Sequence, residues 1–560
     1  MPFLFRLKWV PLIGLALILS GCSVIANPAS PVEKTVEPTP SSTISPTITA
    51  STTPTPTPAP PPLRVWIDPD LPAAFRTSMQ IPIGFEISND ADKADIPISW
   101  VTSDEGLENS VQWIFALVAP FPTLFDEVSS ASIRSSWVGE SAEPFNQSPL
   151  LMSAETAAAL TVLWGQPAPN AIKIFPQEKL VDTSWAERPG WAIVPFEDLT
   201  PRWKVIQVDG LSPLDPDLDV SQYPLKATIG WEAKAGIILP EEGAAIHLVG
   251  NRNAAHLARV FMTGTTAMVR QMALRMEEKG VLYPARRIGD LLKSADLTHI
   301  SNEVSFYSHC PPAKPLRGSL RFCTSPEYIQ TLKAVGADVI ELTGNHLLDW
   351  GTEAFSETLE LYKTNGFTTY GGGWTQEQAR QPNKMEVNGN KLAFLGCNPA
   401  GPEADWATAE NPGSAQCDYD WMESQIRALR ADGYLPIVTI QHIEVYDYKP
   451  TSAQRVISER MAKAGAVLIS GSQSHFPQGF TFVGETLVHY GLGNTFFDQM
   501  DFGSSRGFLD RSVFYEGRLI STELFTIKLE DYAQPRLMTP EERQAMLEKV
   551  FIESGWLSEK

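Results

Sequence analysis

The chain has 560 residues and a formal net charge of −21, with 43% hydrophobic and 19% charged side chains. No basic excess is present to release counterions from a phosphate backbone, so nucleic acid is excluded as a partner, and the acidic surplus reads as solvated faces. At roughly 150 residues per domain the length allows two to four domains and at least one large core.

Arg6 and Lys8 precede an apolar stretch, Trp9 to Leu19, that is too short for a membrane span but suits the h-region of a signal peptide. It ends in LSGC, Leu19 to Cys22, which resembles the lipobox of bacterial lipoproteins. Residues 1–22 are therefore expected to be a lipoprotein signal peptide, with Cys22 as the lipidated residue, and the mature chain to be an extracytoplasmic, membrane-anchored lipoprotein. Residues 23–63 are proline, threonine and serine with almost no large apolar side chains. Such a segment cannot offset its ordering entropy, and it reads as a disordered tether reaching on the order of 100 Å where extended.

From 64 to 235, short apolar runs (PISWV, WIFALVAPF, WAIVPFEDL) alternate with loops containing proline and glycine, the pattern of an α/β layer structure. LRVWIDPDLP, ALVAPFPTL and YPLKATIGW resemble pieces of a periplasmic solute-binding lobe.

From 246 to 530, six apolar runs of strand length end in small or polar clusters: ARVFMTGTT, LTHISNE, DVIELTGNH, LPIVTIQH, AVLISGSQSH and TLVHYGLGN. Helical patterns lie between several of them. In SPEYIQTLKAVGAD, Ser325 is the expected N-cap, Pro326 the first helical residue and Gly336 the stop. Strand, helix, strand implies crossover connections and parallel strands buried on both faces. The polar clusters then share one edge, where ligands of open α/β sheets bind. The 531–560 tail is expected to be helical, with Thr539 as cap, Pro540 at its start and Met546, Val550 and Phe551 as its apolar stripe.

Cys310, Cys323, Cys397 and Cys417 form an even set suited to an oxidising compartment. Three connectivities are possible. The sequence-local one, Cys310 with Cys323 and Cys397 with Cys417, is taken here, each bridge stabilising by roughly 3 kcal/mol through loop entropy.

The strand-end clusters collect Thr265, Asn302, Glu303, Asn345, His346, His442, Gln473, His475 and Asn494. Imidazole, carboxylate and amide oxygen together suit Mn, Zn or Fe. A two-metal hydrolase needs a bridging carboxylate, a role for Glu303, and terminal ligands, roles for Asn345, His442 and His475. His346 could protonate a leaving group, with Asp349 three residues on to orient its ring.

TGNHLLDWG (Thr343 to Gly351), the pair Asn302 and Glu303, GSQSHFPQGF and GLGNTFFDQ are similar in order and spacing to motifs of the CapA family, named for capsule poly-γ-glutamate biosynthesis. The resemblance implies a four-layer α/β/β/α calcineurin-like metallophosphatase fold after a smaller α/β domain. It also implies a part in making, anchoring or trimming a cell-surface polymer, with hydrolase or transferase chemistry at a metal. Carried over, the family's N-N-H-x-x-D-x-G matches Gly344, Asn345, His346, Asp349 and Gly351, with glycine for the first asparagine. Thr265 stands for an aspartate, Ser472 and Gln473 for histidines, and Ile443 and Glu444 for the tryptophan and glycine after His442.

These exchanges remove anionic and imidazole ligands, so a partly degenerate metal site (Glu303, Asn345, His442, Gln473, His475) holding one ion or none is expected, rather than two. The expected partners are the membrane, through the anchor, and an extracellular anionic polymer or glycan. The alternative is a non-enzymatic lipoprotein that binds a solute or glycan through 64–235.

Overall fold

The computed structural model describes residues 61–102, 109–239, 246–314 and 320–558. The leader, Cys22 and nearly all of the tether lie outside them. Among the described residues no helix is long and apolar enough to cross a membrane.

The first region is built on one mixed sheet. Its central strand, Ser110–Pro120, is buried along most of its length and pairs antiparallel with Lys226–Trp231, Ala192–Pro195 and Trp203–Val208. Parallel pairs, such as Leu63–Ile67 with Ile96–Val101 and Leu150–Met152 with Ile172–Ile174, flank it. Trp137, Trp191 and Trp203 are fully buried in its core.

The second region holds two more sheets. In one, Leu257–Thr263, Leu297–Asn302, Val339–Glu341 and Thr368–Tyr370 run parallel, and Arg506–Tyr515 and Arg518–Glu530 extend it antiparallel. In the other, Asn390–Cys397, Leu435–Gln441, Leu468–Ser472 and Thr486–His489 are parallel neighbours. Three apolar layers fill the spaces around them. Met272, Leu332, Phe355 and Tyr362 pack helices on the outer face of the first sheet. Val260, Met262, Phe394, Ile437 and Phe480 fill the gap between the sheets. Met422, Ile426 and Met461 pack the helices Tyr419–Ala431 and Ser452–Ala464 on the outer face of the second. The order is helix, sheet, sheet, helix, which is why these strands are apolar on both faces.

Two local expectations are adjusted. Ser325 opens a 3₁₀ turn, Pro326–Tyr328, before the short helix Ile329–Ala334, and its hydroxyl caps nothing. The Ser325 carbonyl accepts the Tyr328 N–H at 3.0 Å, so the chain enters as a tight turn. The tail adds a strand, Gln534–Leu537, to the first sheet before its helix Pro540–Glu553 begins. There Thr539 and Glu542 form a reciprocal capping box.

The two regions share apolar packing. Phe121, at the end of the central strand, meets Phe480, Phe482, Phe551 and Trp556 edge-on, with ring centroids 5.5 to 6.4 Å apart. Burying such a ring stabilises by about 2–3 kcal/mol. Both disulfides, Cys310 with Cys323 and Cys397 with Cys417, are formed.

Candidate functional site

Parallel pairing sets the carboxyl ends of the strands level with one another. Thr265 is in register with Ser301 and Thr266 with Asn302, Ser301 with Glu341, and Gln441 with Ser472. The backbones crowd where the tips meet. A Cβ at Gly264 would collide with the Gly493 carbonyl, and one at Gly344 would stand 2.5 Å from the Glu303 Cα, so neither position admits a larger residue without a shift.

Beneath the tips lies a buried polar layer that joins the two sheets. Glu341 Oε1 accepts from Thr343 Oγ1 at 2.6 Å and from Ser472 Oγ, of the opposite sheet, at 2.7 Å. His299 Nε2 lies 2.7 Å from the Tyr370 hydroxyl, which is 3.0 Å from Thr439 Oγ1. Burial raises the Glu341 carboxyl above its usual range, against the opposing pull of the Thr343, Ser472, Thr439 and Ser301 hydroxyls. Burial also lowers His299 to about 3, so its ring is neutral.

Above this layer Glu303 and Asn345 meet at Gln441, and His346 and His475 lie close enough to feel the Glu303 charge. Gln441 Nε2 donates to Glu303 Oε1 at 3.1 Å and lies 3.4 Å from Asn345 Oδ1. Next to Gln441, buried His442 is lowered by desolvation to about 4, leaving a neutral imidazole. Gln473 is buried with φ +65, and its Oε1 has no hydrogen-bond partner; Asn302 Oδ1 and Thr266 Oγ1 are likewise unpartnered.

The two remaining histidines are held by carboxylates. His346 Nδ1 lies 2.8 Å from Asp349 Oδ2, which also accepts the Phe322 N–H at 2.6 Å. Burial would lower the His346 pKa, but Asp349, Glu303 and Asp405 raise it on balance. His475 Nδ1 is 2.8 Å from Asn494 Oδ1, and Nε2 is 3.3 Å from Glu444 Oε1. Asn494 spends its amide donors on Gln499 Oε1 and Ser504 O, so its oxygen faces the ring. Both ring nitrogens therefore meet acceptors, the geometry of an imidazolium. Burial opposes that charge, and Glu444, Glu303 and Asn494 outweigh it, so the pKa is raised. Glu444 in turn falls to about 2, mainly through His475. The Tyr446 hydroxyl donates to Glu444 and accepts from Gln499 Nε2, which closes a ring of five side chains: Asn494, His475, Glu444, Tyr446 and Gln499.

One wall of the site is a continuous stack. Tyr446, His475 and Phe497 lie with centroids 6.0 and 5.0 Å apart. The Arg270 guanidinium sits 4.8 Å from the Phe497 ring and 5.1 Å from that of Phe322, which meets His346 at 4.6 Å. Asp498 pairs with Arg270, while Asp290 is fully exposed beside Lys293.

Sequence reasoning missed Asp405, Gln441 and Glu341. Asp405 is buried, feels both Asp349 and His346, and is raised by desolvation to about 7. No spacing signal marks it, because a separate loop carries it to the site. Glu341 did carry a signal, a carboxylate inside the apolar run DVIELT.

The span that carries this geometry, residues 259–499, matches the family described as Bacterial capsule synthesis protein PGA_cap. This part of the chain is a CapA-like domain. It is 26% identical over 245 residues to Capsule biosynthesis protein CapA of Bacillus anthracis, which covers 42% of this chain and 59% of that protein. It is 23% identical over 239 residues to PGA biosynthesis protein CapA of Bacillus subtilis strain 168, covering 42% and 62%. The chain spans about three fifths of the length of these curated relatives. Among solved structures, a 5'-nucleotidase precursor from Thermus thermophilus aligns over 54% of this chain and 57% of that one, with 16% identity and a TM-score of 0.32.

Within this span Glu444 faces His475, its Oε1 lying 3.3 Å from the ring Nε2. Among the described residues, no group of three or more His, Cys, Asp or Glu side chains stands where one ion could take all three.

Proposed function

We propose that the protein is a lipid-anchored envelope protein, attached through Cys22, whose CapA-like domain works in the metabolism of capsule, poly-γ-glutamate or a related extracellular polymer. The observation that carries this reading is the coincidence of the strand-tip site with the span of the family match. The two disulfides suit an oxidising compartment outside the cytoplasm.

We further propose that the site holds a single divalent ion (Mn, Zn or Fe). The supporting donor set is Glu303, neutral His442 and the amide oxygens of Asn345 and Gln473, the last of them unpartnered in a buried place. His475, with both nitrogens engaged by Asn494 and Glu444, does not fit a ligand role. When bound, such an ion would polarise an acyl or phosphoryl oxygen. The chain's own residues supply the rest. His346, whose Nδ1 is held by Asp349, is placed to deliver a proton from Nε2 to a leaving atom. The His475 imidazolium adds positive charge near Glu303 where negative charge develops on a reacting oxygen. Gln441 fixes the orientation of the Glu303 carboxylate.

Two measurements on the full chain test the reading. Turnover of a γ-glutamyl anilide and of an aryl phosphate should require added Mn or Zn and should fall about 100-fold or more in His346→Ala. Mass spectrometry of the membrane-extracted protein should find lipid on Cys22, and Cys22→Ser should release the chain from the membrane. A soluble wild-type chain without lipid would contradict the anchor. Absence of metal-dependent turnover of either substrate would contradict the catalytic reading.

A further inference from the structure

A groove of about 910 Å³ runs beside the helix Arg270–Lys279, between it and residues 310–314 and 321–325. Its walls include Met276, Pro312, Phe322, Tyr328 and Trp350, and Arg270 stands on its lining. Phe322 is shared with the strand-tip site, since its other contact is His346. The groove is therefore one ring thick from the candidate chemistry.

Arg270 has an unusual setting. It lies at φ +49, a conformation non-glycine residues adopt only when their surroundings impose it. Its Nε donates to both Asp498 oxygens at 3.0 and 3.3 Å, and its Nη2 is bonded to the same carboxylate. The Gln271 N–H also donates to Asp498, at 2.9 Å, so the carboxylate is fixed from two sides. The guanidinium plane is clamped between Phe322 and Phe497. No hydrogen bond is formed by Nη1 among the described residues, so two N–H donors of a clamped, partly desolvated cation remain for a ligand. In a chain of net charge −21, the groove lining runs against the trend: Lys314 and Arg321 join Arg270, against Glu277 and Glu327.

We propose that this groove binds an extended ligand bearing an acid group, a carboxylate or a phosphate, and that Arg270 Nη1 is the anchor for that group. Aromatic and methionine walls take the ligand's apolar body, and Phe322 passes its next segment toward His346. The site deepens the polymer reading given above and rests on that reading only for the ligand's identity.

Isothermal titration of the full chain with three probes tests it: tri-γ-glutamate, the same peptide with every carboxyl amidated, and phenyl phosphate. The acid peptide is expected to bind and the amide not to. Arg270→Gln should weaken acid binding about tenfold or more, and Ala313→Trp, at the groove rim, should do the same without touching the strand tips. Arg270→Lys keeps a cation beside Asp498 but loses the planar second edge, and should also lose affinity, so the anchor stays testable if the glutamine variant does not fold. Equal binding of acid and amide, undiminished binding in the folded variants, or no binding by any probe would overturn the site. Arg270-dependent binding of phenyl phosphate without tri-γ-glutamate would uphold the acid site and remove the γ-glutamyl polymer reading.

Discussion

At the residue scale, the site is organised by charge. Glu444 places a carboxylate 3.3 Å from a ring nitrogen of buried His475. The effect on stability has a defined pH window. Glu444, lowered to about 2 from 4.5, contributes above its unfolded value and loses that contribution as pH falls through about 2. His475, raised above 6.5, contributes fully below 6.5 and loses that contribution as pH rises through its folded value. The pair is therefore complete between about pH 4.5 and 6.5. Glu444→Gln should cost about 1 kcal/mol in that window, because Glu444 is partly exposed and its charge is screened. It should also remove the alkaline loss, as read from urea unfolding at pH 6 and pH 9. Sequence made His346 visible together with Asp349, three residues on, but left the partners of His475 hidden. A residue such as Glu444 reads as a lost motif position until the loop is seen folded back on His475.

Elements were more legible than contacts. The six apolar runs ending in polar clusters form strands with level tips because parallel pairing between two covered faces requires apolar residues throughout. Cap chemistry marked the closing helix, where Thr539 and Glu542 bond reciprocally. Thr539→Ala should lower stability by about 1 kcal/mol, measured by thermal unfolding, with the binding properties of the strand tips unchanged. The polar layer around Glu341 was hidden for a physical reason. Its hydroxyls come from both sheets, and no single strand shows that Thr343 and Ser472 will meet one carboxylate. Glu341→Ala should leave those hydroxyls without their shared acceptor and cost about 2–4 kcal/mol in chemical denaturation. A change below about 0.5 kcal/mol would show that the layer does not tie the sheets together.

At the scale of the whole molecule, the first region is coupled to the CapA-like domain through Phe121 and through polar links. Arg543 holds Asp126 by two bonds of 2.7 and 2.8 Å, and Arg518 donates to the Glu197 carbonyl. Burial raises the Glu197 carboxyl to about 8, against the opposing bond from Asn251. Stability from its protonated form is full below about 4.5 and is lost as pH rises through about 8. Glu197→Gln should therefore be more stable than wild type at pH 9 and differ little at pH 4, as followed by fluorescence of the buried tryptophans.

On the proposed reading, the strand tips hold one divalent ion and Glu444 keeps His475 out of its ligand set. The most direct measurement is electron paramagnetic resonance of the full chain titrated with Mn²⁺, with the bound metal counted in parallel. One Mn per chain with an isolated six-line spectrum, retained in His475→Ala and lost in His442→Ala, is the expected result. Two Mn per chain with an exchange-coupled spectrum that collapses in His475→Ala would contradict it.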